Sequence, residues 1–188
     1  RLEEAEAALR SALQGVDDSK LYRSSAPLLA SVANALGTAL LNQGRAAEAE
    51  PFVRQAMKLH EPRFGGLGGD LKRAIAANGG EDALQVLGNL AMVELQRGRT
   101  SEAIANQKQM LIGMRRVGTR KQALDAQFML AAMLVQRSKS DAKKPEDGKQ
   151  AAKLLQGACN GYLKELGPQS PEAVRCSTHL ANMGMPLR

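Results

Sequence analysis

The sequence predicts an all-α protein built from tandem helical hairpins. Apolar residues make up 44% of the chain but aromatics only 3%, with no Trp, so the core must come from Ala, Leu, Val and Met. Small side chains of that kind suit closely packed helices. The strand formers Val and Ile are sparse beside Ala, Leu, Gln, Glu and Arg. Apolar positions recur at helical spacing, as in Leu36, Leu40 and Leu41, and two long stretches of chain repeat each other.

The repeat is explicit in residues 28–59 (LLASVANALGTALLNQGRAAEAEPFVRQAMKL) and 82–113 (DALQVLGNLAMVELQRGRTSEAIANQKQMLIG). Placing Gly44-Arg45 on Gly98-Arg99, a shift of 54 positions, also matches Leu36 with Leu90, Leu41 with Leu95, Glu48 with Glu102 and Ala49 with Ala103. Each stretch reads as two amphipathic helices around a Gly-Arg turn. Gly44 ends the first helix because glycine adopts the left-handed cap conformation without strain. Ala33 and Gly37 are small enough for the second helix to lie close, and Ala49, Val53 and Ala56 face back against the first. The product is an antiparallel αα-hairpin.

Four further segments complete the organisation. Residues 4–13 match 48–57, so the chain opens on a partial repeat, 1–16. A repeat over 28–60 is followed by a Gly-rich insert, 61–81, with a short helix expected at 70–77. The next repeat spans 82–114. Another covers 121–166, with a polar loop at 139–147 containing Pro145 and a second helix from about 148. Residues 170–183 form the first helix of a further repeat, with Ser170 as N-cap and Pro171 in the first turn. The chain thus begins and stops within repeats, and we expect the outer helices to be covered by further sequence or by neighbouring subunits.

This pattern resembles tetratricopeptide repeats, especially the longer repeats of kinesin light chains. The residues that carry the resemblance are Gly88-Asn89-Leu90-Ala91, Gly98-Arg99 and Glu102-Ala103. Matching positions are Gly44-Arg45 with Glu48-Ala49-Glu50, and Leu166-Gly167 with Ser170-Pro171-Glu172-Ala173. The irregular spacing departs from a strict repeat, and other αα-solenoids share tandem hairpins, although pentatricopeptide arrays keep a tighter unit. The resemblance implies a right-handed αα-solenoid over 1–188 whose first helices line a concave, ligand-facing surface. Carried over by position, the facing residues are Ser31, Asn34 and Thr38, then Gln85, Asn89 and Met92. The later repeats add Asp125, Phe128 and Met129, and finally Arg175, His179 and Asn182. Asn and Gln donate and accept at once, which suits a peptide backbone, and Phe128 and Met129 would give an apolar foothold. Two readings compete with these roles: Asn89 bridging adjacent helices, and Phe128 and Met129 packing inward as core. The carboxylate-clamping version of the groove needs Lys and Asn where this chain has Asn34 and Thr38, so that clamp is not expected.

The implied function is a non-catalytic scaffold or adaptor that binds a protein or peptide. The alternative is a structural subunit of a large assembly that uses its inserts and chain ends. No catalytic, cofactor or metal site is expected. His60 and His179 lie in different repeats, and Cys159 and Cys176 with one nearby His do not make a metal set. GGLGG at 65–69 lacks the Gly-Lys-Ser/Thr ending of a phosphate loop. The net charge of +7 raises a third reading, an RNA- or anionic-surface-binding repeat. The basic stretch with Lys108, Arg115, Arg116, Arg120 and Lys121 contains no aromatic on which bases would stack, which argues against nucleic acid. No apolar run reaches membrane-spanning length. Two cysteines point to a reducing interior and an intracellular location, unless their helices bring the Cα atoms within about 7 Å for a disulfide. A basic, Ala-rich chain suits the interior of a plastid or mitochondrion as well as the cytoplasm. The start at Arg1 rather than Met leaves room for a missing leader.

Overall fold

The structure, a computed structural model, describes residues 19–64, 80–141 and 145–184, together with positions 3, 4, 7, 8 and 11. Among the described residues every regular element is helical: α1 Ser19–Asn42, α2 Ala46–Phe64, α3 Gly80–Gln96, α4 Thr100–Val117, α5 Arg120–Ser140, α6 Pro145–Leu166 and α7 Pro171–Asn182. The fold is all-α, and neighbouring helices pair in the manner of a tetratricopeptide-type helical repeat. Two compact units result, residues 1–106 and 107–188.

In the first unit the Gly-Arg turn explains the hairpin. Gly44 has φ +74° and Gly98 φ +77°, values that favour a residue without Cβ. The amide of Gly44 donates to the carbonyl of Leu41 at 2.9 Å and that of Arg45 to Leu40 at 3.0 Å. The amides of Gly98 and Arg99 repeat this pattern, to Leu95 at 3.0 Å and Glu94 at 2.8 Å. These paired bonds close the helix end as a Schellman motif. The carbonyl of Arg45 then accepts from Ala49, and that of Arg99 from Ala103, so each Arg also opens the following helix.

Close approach of α1 and α2 rests on small side chains, as the sequence predicts. Ala33, Ala49, Val53 and Ala56 are fully buried, and so is Ala103 on α4. A Cβ on Gly37 would lie 2.6 Å from Cγ2 of Val53, closer than non-bonded carbons tolerate. α2 also packs on α3, and α1 reaches α3.

In the second unit α5 packs on α6, and α6 on α7. Their core holds Leu124, Phe128, Ala131, Leu155, Ala158, Cys159, Tyr162, Ala173, Cys176 and Leu180. Two caps set helix starts. Ser170 accepts from the amide of Ala173 with Pro171 just inside α7, as expected. Thr119 and Gln122 form a reciprocal capping box at the start of α5.

Several expectations need correction. α1 begins at Ser19 and runs through Pro27, well before residue 28. Flanking turns carry the helix past the missing amide. Of the expected polar loop 139–147, residues 139–140 and 145–147 are helical, because α5 continues through Ser140 and Pro145 opens α6, a first-turn position where proline loses nothing. Asp147 is buried there and receives two bonds from the Arg137 guanidinium, at 2.6 and 2.9 Å. The edges of the insert 61–81 are helical, since α2 ends at Phe64 and α3 begins at Gly80. The helix expected at 70–77 and most of the partial repeat 1–16 lie outside the described residues. Cys159 and Cys176 form a disulfide, with Cα atoms 5.4 Å apart, so the argument for free thiols in a reducing interior loses its premise. Adjacent antiparallel helices put the two side chains at the same level, which sequence spacing alone does not show.

The α1–α2 contact can be tested by a two-residue cycle. Gly37→Ala should destabilise the wild-type protein by about 1–3 kcal/mol in chemical denaturation. In a Val53→Ala background the same change should stabilise by up to about 1 kcal/mol, the helix-propensity gain of Ala over Gly.

Candidate functional site

Within the first unit a cleft of about 510 Å³ lies along α1 and α3. Ser31, Asn34, Thr38 and Asn42 recur along α1 at helical spacing and contribute its polar side chains. Ala30, Ala35 and Ala39 supply room, and Asp82, Gln85 and Val86 of α3 form the opposite side. His60 of α2 completes the lining and is itself buried. Four of the sequence-predicted residues, Ser31, Asn34, Thr38 and Gln85, therefore meet in one cleft.

Their polar atoms are partly committed to each other. The Asn89 side-chain amide donates to Oδ1 of Asn34 and to Oγ1 of Thr38, each at 2.8 Å. The Thr38 hydroxyl donates to the carbonyl of Asn34, and that of Ser31 to the carbonyl of Pro27. Asn89 thus ties α1 to α3, the bridging arrangement. Asn34 keeps its own side-chain NH₂, and the amides of Gln85 and Asn42 carry no hydrogen bond among the described residues. Met92 is half-buried on α3.

The second unit treats its predicted residues differently. Of the two readings of Phe128, foothold or core, the second holds, since it is buried in the core; an apolar residue at helical spacing packs inward when a neighbouring helix covers it. The Arg175 guanidinium lies 4.9 Å from its ring centroid, and the His179 ring meets it edge-on at 5.1 Å. Met129 is half-buried against the same core. Asp125 accepts from the Tyr162 hydroxyl at 2.7 Å and from Lys121 at 3.0 Å. Burial, and then this bond to Asp125, push the Tyr162 phenol above its ordinary range. Asn182 is exposed on α7. Phe128, Arg175 and His179 are thus brought together where α5 meets α7, but as packing partners, while Asp125 is taken up by Lys121 and Tyr162.

The basic stretch is largely occupied by its own neighbours. Lys121 pairs with Asp125 and, at 3.1 Å, with Glu172, while Arg115 donates to Gln127. Among the described residues no group of three or more His, Cys, Asp or Glu side chains is placed to hold a metal ion. No helix among them is long and apolar enough to cross a membrane.

Sequence reasoning missed two features. His60 comes from the second helix of a hairpin, whereas the repeat pattern directs attention to first helices. Glu50 is the other: Arg54, Arg97 and Arg99 converge on its carboxylate at 2.9, 3.0 and 2.7 Å. Burial opposes its ionisation, but the bonds from Arg54 and Arg99 outweigh that and hold its pKa below the usual range. The paired Glu48-Ala49-Glu50 and Arg97-Gly98-Arg99 motifs were its signal.

Glu94 titrates in the opposite sense. Burial raises its pKa, against the Asn106 bond at 2.8 Å and the attraction of Arg99 and Arg54. An acid with a raised folded pKa costs nothing below its unfolded value, and the cost grows as pH rises through the folded value. Glu94→Gln should therefore stabilise the protein at pH 7. The gain should vanish near pH 4, as read by denaturation midpoints at the two pH values.

Residues 29–65, covering most of α1 and α2, match the family described as tetratricopeptide repeat, in its kinesin-light-chain type. No curated protein matches the chain at a significant level. Tetratricopeptide repeats are in general non-catalytic modules of protein–protein interaction. The hairpin that builds one side of the cleft is thus the segment that carries the family likeness, and this chain is similar over residues 29–65 to tetratricopeptide repeat proteins.

Proposed function

We propose that the protein is a binding scaffold that holds a segment of a partner protein in the cleft between α1 and α3. The observation that carries this reading is the convergence of Ser31, Asn34, Thr38 and Gln85 on one cleft, with amide groups still open to a ligand backbone. Side-chain amides match both donors and acceptors of a peptide. A volume of about 510 Å³ falls within the usual range for ligand clefts.

A second reading, a subunit that contacts neighbours over its outer surface, draws support from exposed apolar side chains. Leu28 is 69% and Val32 41% exposed, one turn apart on α1, and Val174 on α7 is 53% exposed. Cross-linking with mass spectrometry on nuclease-treated pull-downs separates the two. For the scaffold, cross-links concentrate around α1 and α3, and Ala35→Trp, which fills the cleft from an exposed position, lowers partner recovery several-fold. For the assembly subunit, cross-links fall elsewhere and Ala35→Trp changes little. Recovery of RNA alone would reject both.

We further infer an oxidising compartment from the buried Cys159–Cys176 pair. Protein taken from its source under acid quench should resist maleimide labelling until reduced. Replacing both cysteines with Ala should cost about 3 kcal/mol of stability, the loop-closure contribution expected for a separation of 17 residues. Full labelling without reductant would reject the compartment while leaving the fold intact.

A further inference from the structure

We propose that α7 is a redox-released helix: the Cys159–Cys176 bond holds it on α6, and a dithiol reductant frees it while the α5–α6 hairpin stays folded. Such a device belongs to the second unit alone and works independently of the cleft.

The non-covalent hold on α7 is weak. The helix runs for 12 residues and buries Ala173, Cys176 and Leu180, two small side chains and one large one. Burial of so little apolar surface barely offsets the ordering of a helix this short, which is marginal in isolation. At its edge Glu172 meets Lys121 at 3.1 Å, with side chains 23% and 48% exposed. Exposed pairs of this kind contribute little. Arg175 lies over the Phe128 ring but is itself exposed. The bond to Cys159 is therefore the strongest tie between α7 and α6.

The α5–α6 hairpin, by contrast, is tied by contacts of its own. Arg137 grips Asp147 through two bonds, at 2.6 and 2.9 Å, with both side chains largely buried. Gln127 donates to the Leu154 carbonyl at 2.8 Å, and Tyr162 to Asp125 at 2.7 Å. Gly161 lies so close to Leu124 that no Cβ fits between them. Departure of α7 leaves these contacts in place.

Access to the bond runs through α7 as well. Cys159 and Cys176 are fully buried, so an attacking thiolate cannot reach either sulfur in the docked form. Cys176 sits midway along α7, and Leu180 is the buried residue beyond it. Unwinding of 177–182 opens the way. The thiolate of a dithiol then displaces one cysteine sulfur and forms a mixed disulfide, and its second thiol closes the reductant's own disulfide. Two electrons and two protons end on Cys159 and Cys176 as thiols. With the tether gone, α7 undocks.

Hydrogen–deuterium exchange on the full chain, before and after dithiothreitol, tests this, with maleimide labelling to verify that both thiols are free. Amides of 174–182 should exchange on the order of a hundredfold faster after reduction, the shift expected from losing a closure of 17 residues. Amides within 149–162 should keep most of their protection, and oxidised dithiothreitol should restore that of α7. Leu180→Ala should speed reduction in native buffer several-fold. Unchanged protection of α7 with both thiols labelled overturns the inference, and so does loss of protection across α5, α6 and α7 together. Reduction only in denaturant that unfolds the unit, or at a rate indifferent to Leu180→Ala, overturns it as well.

Discussion

Everything in the first unit depends on how closely the backbones of α1 and α2 approach. Gly37 faces Val53 with no room for a methyl group between them, and Ala33, Ala49 and Ala56 bury without projecting far. A core so poor in aromatics gains its stability from many short contacts at high packing density rather than from a few large side chains. The same economy of side-chain size continues on the cleft side of α1, where Ala30, Ala35 and Ala39 leave space between α1 and α3. The cleft is the outward counterpart of the close packing.

Polar groups then fix which helix faces which. Apolar packing among alanines and leucines is tolerant of small slips, whereas a hydrogen bond to a particular atom is not. The Asn89 bonds to Asn34 and Thr38 register α3 against α1. The three arginines on Glu50 register α2 against the turn that follows α3. Glu94 is the tension in this scheme: a carboxyl buried for its bond to Asn106, at the expense of its preferred ionisation. Positions that organise the cleft are therefore also positions that hold the helices, which is why Asn89 serves both descriptions.

The hairpin turns, the buried alanines and the Ser170-Pro171 cap were legible because each depends on local chemistry that a few adjacent residues specify. Helix starts were less so. Pro145 read as part of a polar loop, yet it opens α6, and α1 runs on through Pro27; only the surrounding turns decide which role a proline plays. Phe128 stayed open between groove and core because core and groove residues of one helix share the same spacing, and only the approach of α7 distinguishes them. The Cys159–Cys176 bond and the place of His60 depend on which helices become neighbours and at what level. Both walls of the cleft, α1 and α3, are first helices that the repeat alignment singles out; among its described lining residues only His60 comes from outside that pattern.

Arg45 and Arg99 each close one helix with their amide and open the next with their carbonyl. The turn therefore contains no spare residue. One residue inserted after Gly44 would rotate the entry to α2 by about 100°, swinging Ala49 and Val53 away from Gly37. The Gly98 turn has the same length and the same two roles. A residue gained or lost at either turn would therefore act as a rotation rather than as a lengthening, turning a different face of the second helix toward the first.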